Sequence, residues 1–173
     1  MAITISRAAT PEAAGYLPQL ISLLQDSVDN GASVGYLPPL TAAEAAGFWQ
    51  GVQDAVQAGS RILLLATDGA QVLGTVQLDL ATKPNGLHRA EVMKLMVHSQ
   101  ARRQGLGRQL MLAIETQARQ QQRTTLVLDT LLGEPSEQLY QSLGYMAVGA
   151  IPHFARVASG ALEATVVYYK LLG

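Results

Sequence analysis

Ala90-Glu-Val-Met-Lys-Leu-Met-Val-His98, followed shortly by Arg102-Arg-Gln-Gly-Leu-Gly107, is the stretch on which the fold turns. Its first part is apolar and rich in strand formers, which predicts a strand. Beyond it, Leu106, Leu110, Ala113, Ile114 and Ala118 recur at helical spacing, so a helix is expected through about Gln121. Two glycines therefore stand where a strand turns into a helix. Glycine lets the backbone turn tightly and approach a ligand with no Cβ in the way. The first amides of the helix lack partners within it, and its dipole adds positive potential. Such a turn suits an anion of the pyrophosphate kind, and Arg102, Arg103 and Arg108 add charge around it. The Lys-Ser/Thr of a phosphate loop and the three-glycine spacing of a dinucleotide site are both missing. On spacing alone, a tight turn with solvated arginines accounts for the same residues.

Working toward the N-terminus, Gln71 to Leu80 and Arg61 to Thr67 read as strands joined through Asp68-Gly69, a hairpin signal. Lys83-Pro-Asn-Gly86 is a turn. Thr41 with Glu44 is a capping-box pattern that opens a helix through about Val56. Gly31 to Pro39 holds two glycines and two prolines and is too apolar for a plain linker, so it is expected to fold over something. Thr10-Pro11-Glu12 reads as the start of one helix running through Leu17, Leu20, Ile21 and Leu24 to Asn30. Ile3, Ile5 and Arg7 alternate as in a short strand. Toward the C-terminus, Thr124 to Thr130 is a strand and Glu134 to Leu143 a short helix closed by Gly144. Tyr145 to Ile151 and Ala164 to Leu172 are the last strands. This order predicts one mixed α/β domain over residues 1–173, with about four helices around a mostly antiparallel sheet.

The composition agrees. The chain has 173 residues, 49% hydrophobic and 14% charged, which suits one well-filled globular core. No cysteine is present, which excludes a disulfide framework, a thiol nucleophile and a thiolate metal site. The formal net charge of −1 gives no field that would draw nucleic acid or anionic lipid. No run is long and apolar enough for a membrane span or a signal peptide, so a cytoplasmic protein with neither nucleic-acid nor membrane partners is expected. His88, His98 and His153 are widely spaced, with no metal-ligand pattern. Phe48 and Trp49 lie mid-helix and read as core. The run from Arg119 to Arg123 reads as a solvated helix end.

Glu91 to Arg119 resembles the acetyl-CoA motif of the GNAT N-acetyltransferase superfamily, whose turn reads Arg/Gln-x-x-Gly-x-Gly/Ala; Arg102, Gly105 and Gly107 supply it here. Ser136 to Tyr145 resembles the superfamily's later helix-strand motif. Within the superfamily, residues 31–36, 83–86, 89–92 and 128–130 resemble the tabtoxin-resistance acetyltransferases. The resemblance implies a GNAT-like fold whose sheet splays at the coenzyme site, with acetyl-CoA as cosubstrate and no metal. It implies that the backbone of Leu95, Met96 and Val97 pairs with the pantetheine arm. The turn Arg102, Arg103, Gln104, Gly105, Leu106, Gly107 and Arg108 would hold the pyrophosphate, with Ser136 among the coenzyme contacts.

For the chemistry, the resemblance places Tyr140 near the coenzyme sulfur. A phenol suits protonation of a thiolate, because their ordinary pKa values lie within about 2 units. Glu91 and Asp129, on adjacent predicted strands, are candidates for base and substrate anchor, in either order. Ser33 and Tyr36, with Lys83 and Asn85, are expected to wall the acceptor site. The implied reaction is acetylation of a primary amine on a small molecule, amino-acid-like or a β-lactam dipeptide toxin. Acetylation of protein N-termini and a non-catalytic acyl-CoA sensor stand as alternatives, and oligomeric state, homodimer included, stays open.

Overall fold

A computed structural model describes residues 3–69 and 71–173, and of residues 10–12 the backbone alone. The cap expected from Thr10, Pro11 and Glu12 lies outside the described side chains. One seven-stranded sheet carries five helices. In chain order the elements are β1 (Thr4–Arg7), α1 (Thr10–Gly15), α2 (Leu17–Asp29), α3 (Ala42–Gln57), β2 (Arg61–Thr67), β3 (Val72–Leu80), β4 (Arg89–Val97), α4 (Leu106–Gln120), β5 (Thr125–Leu131), α5 (Pro135–Ser142), β6 (Met146–Arg156) and β7 (Leu162–Leu171). The sheet order is β1-β2-β3-β4-β5-β7-β6, antiparallel throughout except for the β4–β5 pair.

The single helix expected from Thr10 to Asn30 is two. The chain breaks at Tyr16, and Pro18 takes the first turn of α2, where its missing N–H costs nothing. The capping box at the start of α3 forms in both directions: Glu44 N–H donates to Thr41 Oγ1, and Thr41 N–H donates to Glu44 Oε2. Arg123 does not point into solvent as expected. It folds back to donate to the carbonyls of Ala81 and Leu87, which ties the end of α4 to the β3–β4 connection.

Two cores form on opposite faces of the sheet. On one, α4 buries Leu106, Leu110, Met111 and Ile114 against Val76, Leu78, Val92 and Leu126. On the other, α2 and α3 bury Leu20, Leu24 and Trp49 against Leu63, Leu65 and Met96. Val92 and Met96 therefore belong to opposite cores, although strict alternation would put residues four apart on one face. The register explains it. Thr75 pairs with Met96 but Gln77 pairs with Met93, so β4 carries one extra residue. Lys94 sits in this bulge at φ 54, a region that side chains other than glycine rarely enter. One inserted residue flips the faces, which sends Leu95 and Val97 to the α4 core.

Candidate active site

β4 and β5 pair only at Arg89–Thr125, Ala90–Leu126 and Glu91–Val127. Past Glu91 and Val127 the strands part, leaving the rest of β4 without a partner on that side. A cleft of about 770 Å³ opens in the gap. Leu95, Met96 and Val97 line it, on a strand edge that has no strand partner on that side.

At the end of β4 the chain makes one turn of tight helix over Ser99–Ala101 and enters α4 through Arg103 (φ 61) and Gly105 (φ 78). Nothing stands within 4 Å of where a Gly105 Cβ would be, so glycine is there for its conformation. Among the described residues, no hydrogen bond uses the amides of Arg103 through Arg108. Six consecutive unpaired N–H groups at a helix N-terminus make a strong anion cradle. The arginines differ in their freedom. Arg102 Nε donates to Val97 O at 3.1 Å, and Arg108 donates to Ser142 Oγ at 3.0 Å, while Arg103 is exposed.

Tyr140, on α5, enters the same cleft from the β5 side and is only 7% exposed. Its ring packs edge-on to Tyr145 at 6.0 Å, and no hydrogen bond among the described residues reaches its hydroxyl. Burial, reinforced by the charge of Asp129, pushes the phenol up to about 12. Ser136 lines the cleft as well, its Oγ 2.7 Å from Thr130 Oγ1.

Glu91 stands where the strands part, half-buried and opposite Asp79 across the β3–β4 pair. Its carboxyl is raised above the ordinary value, first by burial and then by the charges of Asp129 and Asp79; Lys94 and Arg61 oppose this. Asp129 is exposed and held by Thr165, whose Oγ1 donates to Oδ2 at 2.9 Å. Thr165 is itself buried.

A second cleft of about 490 Å³ adjoins the first and shares Ser33, Lys94, Asp129 and Leu131 with it. Tyr36 and Leu37 wall one side; Phe154 and Arg156, at the end of β6, wall another. Ser33 and Tyr36 line this cleft, and the loop from Gly31 to Pro38 forms part of its wall. Lys83 and Asn85 line neither cleft. They are exposed in the β3–β4 connection, at the end of β4 where it is still paired with β5. Gln104 is not in the cleft lining, and its side chain donates to Gln100 O at 3.3 Å.

Three site residues were not singled out from sequence. Lys94 lies inside the expected strand from Ala90 to His98, where nothing local distinguishes it from its neighbours. Phe154 and Arg156 lay beyond the expected end of the strand at Ile151, because Pro152-His153 interrupts the pattern. The structure carries β6 to Arg156 through an irregularity between Ile151 and Ala155, with His153 at φ 53.

The fold and the cleft define a class: a sheet whose strands part beside a glycine turn with free amides, with carboxylates and a phenol in the gap. The model of the acetyltransferase (GNAT) family matches residues 32–145, and the chain belongs to that family. It is by class an acyltransferase, with acetyl-CoA as the acyl donor of that class. Rat N-acetyltransferase 8 is 36% identical over 87 residues, which are 49% of this chain; the match spans 39% of that protein's length. Among solved structures, the fold matches an N-acetyltransferase of Staphylococcus aureus Mu50 at TM-score 0.83 and 18% identity, covering 100% of both chains. It matches a ribosomal-protein-alanine N-acetyltransferase of Brucella melitensis at 0.82 and 22%, over 98% of this chain and 99% of that one. It also matches yncA of Salmonella typhimurium, solved with its cofactor acetyl-CoA, at 0.79 and 18%, over 100% and 95%. At these identities the likeness is one of fold. Among the described residues, no helix is long and apolar enough to cross a membrane.

Proposed function

We propose that this chain transfers the acetyl group of acetyl-CoA to a primary amine of a small molecule, amino-acid-like in kind, in a cytoplasmic detoxification role such as the acetylation of a β-lactam dipeptide. The observation that carries the reading is the meeting of two clefts at Lys94 and Asp129, with Glu91 on the wall of the first. One is fed by six free amides and an unpaired strand edge; the other is enclosed by the loop from Gly31 to Pro38 and the end of β6. The second cleft, at about 490 Å³, suits a small amine better than an extended peptide.

Acetyl-CoA supplies an activated acyl thioester, and the residues present fit it. Amides 103–108 suit its diphosphate, and the free edge of Leu95, Met96 and Val97 suits its amide-bearing arm. Glu91 and Asp129 line the first cleft with Tyr140. Glu91 takes a proton from the amine, directly or through water, while Asp129, fixed by Thr165, anchors the amine end. As the N–C bond forms and the C–S bond breaks, Tyr140 delivers its proton to the departing sulfur.

Thiol release from acetyl-CoA across a panel of small amines and of peptides with free N-termini tests the reading. Turnover on small amines, with backbone amide NMR shifts of residues 95–108 on adding acetyl-CoA, is expected. Turnover confined to peptide N-termini, or acetyl-CoA binding with no transfer at all, overturns it.

Glu91→Gln is expected to lower kcat by about 100-fold. The base must be ionised to act, and the carboxyl is raised above 4.5, so wild-type kcat falls on the acid side at a higher pH than an ordinary glutamate would set. Glu91→Gln should lose that limb. A pH–kcat profile unchanged in shape would assign the base elsewhere.

A further inference from the structure

The bulge in β4 has a consequence for what the second cleft accepts. Lys94 is the inserted residue, and its side chain crosses to the face of α2 and α3. There Nζ donates to Val34 O at 2.6 Å and lies 6.0 Å from the centre of the Phe48 ring. A Cβ on Gly35 would stand 3.4 Å from Nζ, so the loop from Gly31 to Pro38 closes directly over the ammonium. An ammonium has three N–H donors; among the described residues only the Val34 carbonyl accepts one. No described carboxylate lies within 4.0 Å of Nζ. Yet Asp129 lines the same cleft, and its contact is with Thr165, whose one hydroxyl hydrogen is shared between Asp129 Oδ2 at 2.9 Å and Thr130 O at 2.8 Å. The other cation on the wall, Arg156, is engaged with Gly160 O at 2.7 Å. The cleft thus presents one half-buried cation with unused donors and one carboxylate, not paired with each other. Burial disfavours the charged lysine, Asp129 and Glu91 oppose this only in part and with no contact to Nζ, and an anionic ligand would offset the rest.

We infer that Lys94 binds a carboxylate of the acceptor, so that the acceptor is an amino acid or short peptide carrying a free acid as well as the amine. This rests on the small-molecule acetyl transfer proposed above. The carboxylate takes the two free N–H groups of Lys94, and the amine turns to Asp129 and Glu91. Lys94 then determines specificity and takes no part in the proton transfers.

The test compares matched acceptors, amino acids and dipeptides against their C-terminal carboxamides, with rates referred to the neutral-amine fraction of each. The wild-type protein is expected to favour the acid in kcat/KM by about 10- to 100-fold, mostly through KM, as suits a charge-assisted contact. Lys94→Gln should bring acid and amide within about twofold by losing the acid alone, with KM for acetyl-CoA unchanged; Lys94→Arg should restore part of the preference. Should Lys94→Gln fail to fold, the wild-type comparison of acid with amide still decides. Equal wild-type rates on acid and amide, or a preference that survives Lys94→Gln, overturn the assignment while leaving small-amine transfer standing. Transfer to no small amine at all overturns both.

Discussion

Tyr140→Phe is expected to lower kcat by about 100- to 10,000-fold when chemistry limits the rate, with the KM for acetyl-CoA nearly unchanged. The substitution removes one oxygen and leaves the ring, which packs against Tyr145 and Tyr168. No hydrogen bond among the described residues reaches that oxygen, so its loss leaves nothing in the fold unpaired and the melting temperature should move little. The structure changes the energetics expected from sequence. Burial pushes the phenol up to about 12, which widens its distance from an ordinary thiol, near 8.5, to about 3.5 units. The phenol is then fully protonated at neutral pH and holds its proton until a stronger base develops beside it. The same dry cleft disfavours a bare thiolate, which raises the sulfur's demand for that proton. Pre-steady-state acetyl transfer on Tyr140→Phe checks this. A chemical step as fast as the wild type's would assign the acid elsewhere.

Trp49→Ala is expected to cost about 3–5 kcal/mol of stability, a fall in melting temperature of roughly 6–20 °C for a chain of this size. Trp49 has no exposed surface, and its Nε1 donates to Leu20 O at 2.7 Å, so one residue of α3 holds α2 by packing and by hydrogen bond together. The cavity left would lie on the α2/α3 face, with Leu20, Leu24 and Met96 around it. Residues of this face, through Phe48 and the loop from Gly31 to Pro38, support the acceptor cleft, whereas the amide cradle belongs to α4 on the other face. Protein that survives the substitution should therefore bind acetyl-CoA with near-normal affinity and show a raised KM for the acceptor. Differential scanning calorimetry and an acetyl-CoA titration on the same sample separate the two effects.

Much of this was written locally. The strand, glycine turn and helix from Ala90 to Gln121 follow from residues within a few positions of one another, because strand alternation, turn chemistry and helix periodicity are short-range. So does the box that Thr41 makes with Glu44, and so does the short helix that carries Tyr140. What local pattern could not give is which edges meet and where they part. The cleft exists because β4 and β5 pair for three residues and then diverge, and the sheet order that sets this joins segments distant in the chain.

The break at Tyr16 and the exit of Lys83 and Asn85 from the site are of the same kind. A helical pattern runs across the first, and only the direction of β4 places the turn holding the other two at the end away from the cleft. The sharpest case is Lys94. Periodicity reads residues 93–97 as a plain alternation, but pairing with β3 inserts one extra residue, and a shift of one exchanges the two faces of a strand. The sequence by itself thus determined most of the elements, the glycine turn between β4 and α4, and the resemblance to the family. Only the tertiary structure decided that a lysine faces the acceptor cleft, because a bulge is a property of two strands together and is absent from either one alone.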